Sequence, residues 1–96
     1  MSIRSVYNSD WKPCLTADQM NTLKAGDQVL YDEDGQIILC KVLANKSTQR
    51  DYLFGLEVVE LKKSNGVYTD PVVGEQFEAF GMKGAQHYWG WVLRPM

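Results

Sequence analysis

Cysteine, histidine and proline are scarce in this 96-residue chain, which has two, one and three of them. Cys14 and Cys40 form no Cys-x-x-Cys pair. Together with His87 they offer at most three zinc ligands without paired spacing, so no metal site and no disulfide framework is expected. An excess of charge of one sign is also missing. Ten Lys and Arg stand against twelve Asp and Glu, for a net charge of -2, and no basic arm gathers the positive residues. Phosphate contacts dominate nucleic-acid affinity, so nucleic acid is not the expected partner. Long hydrophobic runs are absent too. Nothing approaches the length needed to cross a bilayer, and MSIRSVYNSDW at the start has no apolar h-region, so the expectation is a cytoplasmic protein with no membrane partner.

What the chain does have is a core. Hydrophobic residues make up 45% of it, including three Trp, five Tyr and three Phe. A chain of this size buries on the order of 65% of its unfolded-state surface. No low-complexity or repeated segment interrupts it, so residues 1–96 are expected to form one domain, with an N-terminal segment over 1–25 packing a short helix on a β-barrel over 26–96.

The helix is written in LTADQMNTLKAG. Thr16 is placed to cap it, and Gln19 three residues later completes a capping box. Leu15 and Met20 suit a hydrophobic staple, and Gly26 suits a left-handed stop. Ala17, Met20 and Leu23 make one narrow apolar stripe over roughly two turns, which must lie against something else to persist.

Beyond Gly26 the period changes to two. DQVLYDE alternates Val29 with Tyr31, Asp34-Gly35 predicts a tight hairpin, and QIILCKVLA is a long second strand. After a polar connection at 45–50, YLFGLEVVELKK runs to Asn65-Gly66, which predicts a second hairpin ahead of VYT and Pro71. GEQFEAF, the glycine-punctuated loop GMKGAQ and the strand HYWGWVL complete five or six strands. The fold class is mainly β: a small antiparallel barrel or strongly bent sheet with one short N-terminal helix.

The stretch LKAGDQVLYDEDGQIILCKVL resembles the opening hairpin of SH3-like barrels of the Tudor, agenet and KOW type, where a Gly-Asp dipeptide leads into a first strand carrying a valine. By strand count the resemblance covers about residues 23 to 93 and implies an SH3-like barrel. The long third strand, read as paired through its own Asn-Gly hairpin, and the N-terminal segment depart from that pattern.

Strand faces predict more apolar surface than one barrel interior can hold. Ile38, Cys40, Val42 and Ala44 form one face of the second strand, yet Ile37, Leu39 and Leu43 occupy the other with only Lys41 as relief. In the third strand Tyr52, Phe54, Leu56 and Val58 face one way, and Leu53, Val59 and Leu61 the other. A half-solvated sheet would alternate apolar with polar. The surplus is expected to be covered in part by the N-terminal segment and its helix, with Ile3, Val6, Tyr7, Trp11, Leu15, Met20 and Leu23, and for the rest by a second copy of the chain in a homodimer.

No reaction is legible. Asp32, Glu33 and Asp34 read as a hairpin turn, since an EF-hand's closing glutamate is missing. Cys40 sits in a core face, so a Cys–His nucleophile is not expected. Glu57, Glu60, Glu75 and Glu78 read as solvated charges, some opposite Lys41, Lys62 or Lys63. GMKGAQ is no phosphate loop, although Gly81 and Gly84 could hinge it over a bound group. No catalytic residue and no cofactor is assigned.

The aromatic strand carries the functional expectation. Trp89, Trp91 and Leu93 share one side of it, Tyr88 and Val92 the other. The indoles either fill the core or stand at its rim. Tyr52, Phe54 and Phe77 already claim the interior, which places at least one indole edge at the rim, near Tyr31 or Trp11, with His87 further along. Trp89, Trp91, His87, Tyr31 and Trp11 are therefore the expected binding residues of a non-catalytic module for a peptide, a protein partner, or a small apolar or cationic ligand. The alternative is a structural or accessory homo-oligomeric subunit whose apolar patch is its assembly interface.

Overall fold

The computed structural model describes residues 13–84 and 90–96. It is mainly β, with 52% of the described residues in strands of a curled half-barrel. The elements are α1 (Ala17–Asn21), β1 (Gln28–Glu33), β2 (Gln36–Asn45), β3 (Asp51–Lys63), β4 (Gln76–Met82) and β5 (Trp91–Pro95). All pairings are antiparallel, in the order β4-β3-β2-β1-β5. Among the described residues no helix is long and apolar enough to cross a membrane.

The β1–β2 turn forms as its dipeptide predicts. Asp34 and Gly35 have φ of 52° and 87°, the positive pair that a two-residue hairpin needs to match strand twist. Curvature comes from β2 and β3, whose register shifts between Ile37 and Ile38, Leu39 and Cys40, and Val42 and Ala44. Each irregularity bends the strand that carries it. The curl brings the edge strands towards one another, and the Trp91 indole Nε1 on β5 donates to the carbonyl of Phe80 on β4 at 3.0 Å.

The capping box at α1 is complete. The Gln19 amide donates to Thr16 Oγ1 at 3.2 Å, and the Thr16 amide to Gln19 Oε1 at 2.8 Å. Leu15 and Met20, the staple pair, are both buried in the main core, and Leu23 packs beside them. The helix is shorter than its sequence pattern suggests. It ends at Thr22, whose hydroxyl turns back onto the carbonyls of Asp18 and Gln19 at 3.1 Å each, so Ala17 stays exposed and Gly26 is not the stop. Gly26, at φ 96°, instead turns the chain into β1: its amide donates to the Val42 carbonyl, and the Val42 amide to the Asp27 carbonyl. Asn45 at the end of β2 ties the helix down by donating from Nδ2 to the carbonyls of Met20 and Leu23.

Asn65-Gly66 does not make the expected second hairpin. β3 and β4 pair only from Asp51–Met82 to Glu57–Gln76, and residues 64–75 form a long loop instead. Asn65 uses its own side chain as the turn acceptor, taking the amides of Val67 and Tyr68 on Oδ1 at 2.9 Å each. It also donates from Nδ2 to the Asp34 carbonyl, which steers the chain across the β1–β2 turn rather than back along β3. Gly81 and Met82 likewise belong to β4, with Gly81 buried opposite Tyr52. Gly81 is thus a strand residue and no hinge.

Both faces of the sheet carry buried apolar residues. The inner face holds the main cluster, including Val29, Cys40, Val42, Phe54 and Leu56, and the outer face a second one of Leu30, Ile37 and Leu39 with Val59 packed on it. Of the N-terminal residues expected to cover the outer face, Leu15 and Met20 are instead buried in the inner cluster with Leu23 packed against it, because α1 lies on that side of the sheet, and Ile3, Val6, Tyr7 and Trp11 lie outside the described residues.

Candidate functional site

The acidic turn at the end of β1 is a hub of side-chain hydrogen bonds. Asp32 accepts the Gly35 amide on Oδ1 at 3.1 Å and Arg94 Nε on Oδ2 at 3.0 Å. Glu33 accepts the Tyr31 hydroxyl at 3.0 Å, and Asp34 accepts the Tyr68 hydroxyl. These carboxylates hold the fold's own donors. Among the described residues no three His, Cys, Asp or Glu groups gather as metal ligands.

These contacts strap residues 64–75 over one end of the half-barrel, the end of β2 opposite α1. Gln36, a buried polar residue, donates from Nε2 to the Thr69 carbonyl at 3.3 Å. The far side of the loop is pinned to β3, where the Gly74 amide donates to the Val58 carbonyl and the Val58 amide to the Glu75 carbonyl, both at 2.8 Å. Glu75 also accepts the Val72 amide on Oε1 at 3.2 Å.

Beneath the strap lies a cleft of about 230 Å³ lined by Gln36, Ile38, Val58, Thr69, Asp70, Pro71, Glu75 and Phe77. Ile38, Val58, Phe77 and Pro71 give it apolar surface. Asp70 and Glu75 give it negative charge, and none of the described lining residues is basic. The Asp70 carboxylate has no side-chain hydrogen bond or ion pair among the described residues. Phe77 is anchored from behind, with its ring edge-on to Tyr31 at 5.0 Å and 72°. Tyr31 in turn stacks on Trp91 at 5.7 Å and 24°. A row of three rings therefore runs from the cleft into the core, and edge-to-face and offset contacts of this kind fix ring positions. Burial, then the charge of Glu33 and the hydrogen bond to it, hold the Tyr31 hydroxyl well above its ordinary range of ionisation.

Of the residues expected at an aromatic rim, Trp11, His87 and Trp89 lie outside the described residues. Tyr31 and Trp91 stack on one another in the core, at 6% and 5% exposure. Both fill the core because the half-barrel is open along one side, so the expectation of at least one indole edge at the rim falls on Trp89, outside the described residues. The gap between β4 and β5 admits the Trp91 ring, and the Phe80 carbonyl satisfies the indole N–H that would otherwise have sought water. Phe77, assigned to the interior from sequence, is the aromatic that reaches the cleft; Glu75, read from sequence as a solvated charge, lines it too, while Gln36 and Asp70 carried no sequence signal of their own. Only the acidic and proline content of TDPVVGE sets the segment apart.

Elsewhere the chemistry is quiet. Burial pushes the Cys40 thiol up to about 12, so it is protonated at neutral pH and is no nucleophile. Cys14 is exposed. Lys41–Glu57, Lys62–Glu60 and Lys46–Glu78 form ion pairs at 4.0, 3.2 and 3.1 Å on partly or largely exposed side chains, a setting in which such pairs contribute little. Phe80 and Met82, on the outward side of edge strand β4, are 55% and 57% exposed. No protein-family model, curated protein or solved structure matches the chain.

Proposed function

We propose that this protein is a non-catalytic binding module, and that it holds a side chain or small ligand with an apolar stem and a cationic end in the cleft under the strap. The observation that carries this reading is the lining. Apolar side chains including Phe77 form its body, and the charges present, Asp70 and Glu75, are both negative. Its volume of about 230 Å³ falls below the roughly 300–1,000 Å³ of drug-sized ligand sites, which favours a single extended side chain of a peptide over a whole metabolite. An aliphatic stem lies on the apolar residues while the charged head stays near the carboxylates and partly in water.

Amide chemical-shift titrations with n-butylammonium and with neutral n-butanol test this. The cation should shift Gln36, Thr69, Asp70, Glu75 and Phe77 at millimolar concentration, the alcohol should do so more weakly, and Asp70→Asn with Glu75→Gln should erase the difference. Equal effects of the two probes, or shifts located elsewhere, would overturn the assignment.

The exposed Phe80 and Met82 on β4 support a second reading, in which the chain is an accessory subunit that assembles with copies of itself through that edge. Exposed apolar side chains on an edge strand are a liability unless something covers them. Sedimentation velocity decides this: the reading requires a dimer that Phe80→Glu dissociates, and a wild-type monomer at micromolar concentration ends it.

A further inference from the structure

Of the four asparagines in the chain, Asn8, Asn21, Asn45 and Asn65, only Asn65 precedes a glycine. That pairing carries a chemistry of its own. A main-chain amide nitrogen can attack the side-chain carbonyl carbon of an asparagine just before it, and glycine, with no side chain, leaves that nitrogen open. Whether a fold permits the attack depends on what holds the nitrogen.

After the other two described asparagines it is held by main-chain carbonyls. The Lys46 amide, following Asn45, donates to the Leu53 carbonyl at 2.8 Å, and the Thr22 amide, following Asn21, to the carbonyls of Asp18 and Gln19 at 3.2 and 3.3 Å. Gly66 differs. Its amide donates to the Ser64 hydroxyl at 3.1 Å, on an exposed stretch of the loop where water can take over that bond. The Asn65 carboxamide is also set for the reaction. Its Oδ1 accepts the Val67 and Tyr68 amides at 2.9 Å each, and paired N–H donors on a carbonyl oxygen stabilise the negative charge it gains when a nucleophile adds. The amino end has a longer bond, to the Asp34 carbonyl at 3.3 Å.

We propose that Asn65 is a self-modifying site: in the folded protein it loses its amide to become aspartate or isoaspartate, and the change releases the 64–75 strap. The Gly66 nitrogen passes its proton through Ser64 Oγ to water and bonds to Asn65 Cγ. The Cγ–Nδ2 bond breaks and ammonia leaves with a proton. Water then opens the succinimide ring at one carbonyl or the other, so the net reaction consumes a water and releases an ammonia. No oxidant, cofactor or second protein enters.

The product cannot keep the strap's tie to the β1–β2 turn. Aspartate retains Oδ1 for the Val67 and Tyr68 amides but has no hydrogen to give the Asp34 carbonyl. Its new charge falls against that carbonyl and near the Asp34 carboxylate that the Tyr68 hydroxyl holds, a like-charge arrangement that loosens a segment. Isoaspartate adds a methylene to the main chain and shifts the turn's bonds out of register. The inference concerns the strap and does not depend on what the cleft binds.

The test incubates the full chain at mildly alkaline pH, folded and in urea, and follows each asparagine by peptide mass spectrometry. Asn65 should gain the mass difference between amide and acid in the folded chain within a few-fold of its rate in urea, whereas Asn21 and Asn45 should convert many-fold more slowly folded than in urea. Amide exchange over 65–75 should be several-fold faster in Asn65→Asp than in wild type, with β1 and β2 unchanged. The proposal is overturned if folding protects Asn65 as it protects Asn21 and Asn45. It is equally overturned if Asn65→Asp leaves exchange in the loop as it was.

Discussion

Trp91 on β5 and Phe80 on β4 are joined by a hydrogen bond from indole N–H to main-chain carbonyl at 3.0 Å, so the open side of the half-barrel is bridged by a side chain where, among the described residues, no strand ladder joins β4 to β5. The bridge also ends the row of rings that begins at Phe77 in the cleft.

Replacing Trp91 should separate the bond from the bulk. Trp91→Phe keeps a ring against Tyr31 but leaves the Phe80 carbonyl without its donor, at an expected cost of about 1–3 kcal/mol. Trp91→Ala removes the ring as well and should cost about 3–5 kcal/mol. Urea unfolding followed by circular dichroism measures both.

The Arg94–Asp32 pair should behave as a buried pair in spite of its place on an outer face. Arg94→Met leaves a carboxylate in a dry setting and should destabilise by about 3–5 kcal/mol, whereas adding Asp32→Asn, which keeps an acceptor for the Gly35 amide, should recover a large part of that loss. A double-mutant cycle with near-additive effects would show that the pair is solvated.

Cys40 makes alkaline stability fall. Its thiol stays protonated in the folded state up to about 12, against an ordinary value of 9.0. Above pH 9 the unfolded chain therefore gives up a proton that the folded chain keeps. The unfolded state then binds fewer protons, and unfolding free energy drops by up to about 1.4 kcal/mol per pH unit between pH 9 and 12. The raised Tyr31 hydroxyl adds in the same direction at the upper end. Cys40→Ala should be less stable than wild type at pH 7, and the gap should narrow as pH rises through that window. Thiol titration offers a second check: Cys14 should react in the native protein, and Cys40 only after unfolding.

Tyr68→Phe should loosen the strap. The Tyr68 hydroxyl bonds Asp34 across the turn, and that bond, with some help from nearby charge, raises the hydroxyl's ionisation range. Without it, amide exchange should quicken across 65–75 and binding of n-butylammonium in the cleft should weaken, while exchange in β1 and β2 stays as it was. Unchanged exchange in the loop would mean that Asn65, Gln36 and the main-chain bonds of Gly74 and Glu75 to Val58 hold it without the Tyr68 hydroxyl.

Much of the fold is legible residue by residue. Thr16 and Gln19 announce the helix start, Asp34-Gly35 the first hairpin, and the near-continuous apolar run QIILCKVL a strand buried on both faces, because each depends on neighbours within a few positions. The misreadings share a cause. Gly26 follows a helical stripe but serves β1, because Thr22 closes the helix sooner. Asn65-Gly66 has the composition of a hairpin turn, but its side chain finds Asp34, thirty-one residues away in sequence. The cleft was not legible at all. Gln36, Asp70, Glu75 and Phe77 come from three separate segments and have no shared spacing.

The sequence by itself determined a β-rich chain with one capped helix, a tight first turn and apolar surface on both sides of its central strands, since propensity, turn chemistry and side-chain alternation act locally. Only the tertiary structure decided that Trp91 and Tyr31 are core, that residues 64–75 form a strap, and that an acidic cleft opens beneath it. Those outcomes rest on how far the sheet curls and on which distant carbonyl or carboxylate each donor meets, and both are set by packing of the whole chain.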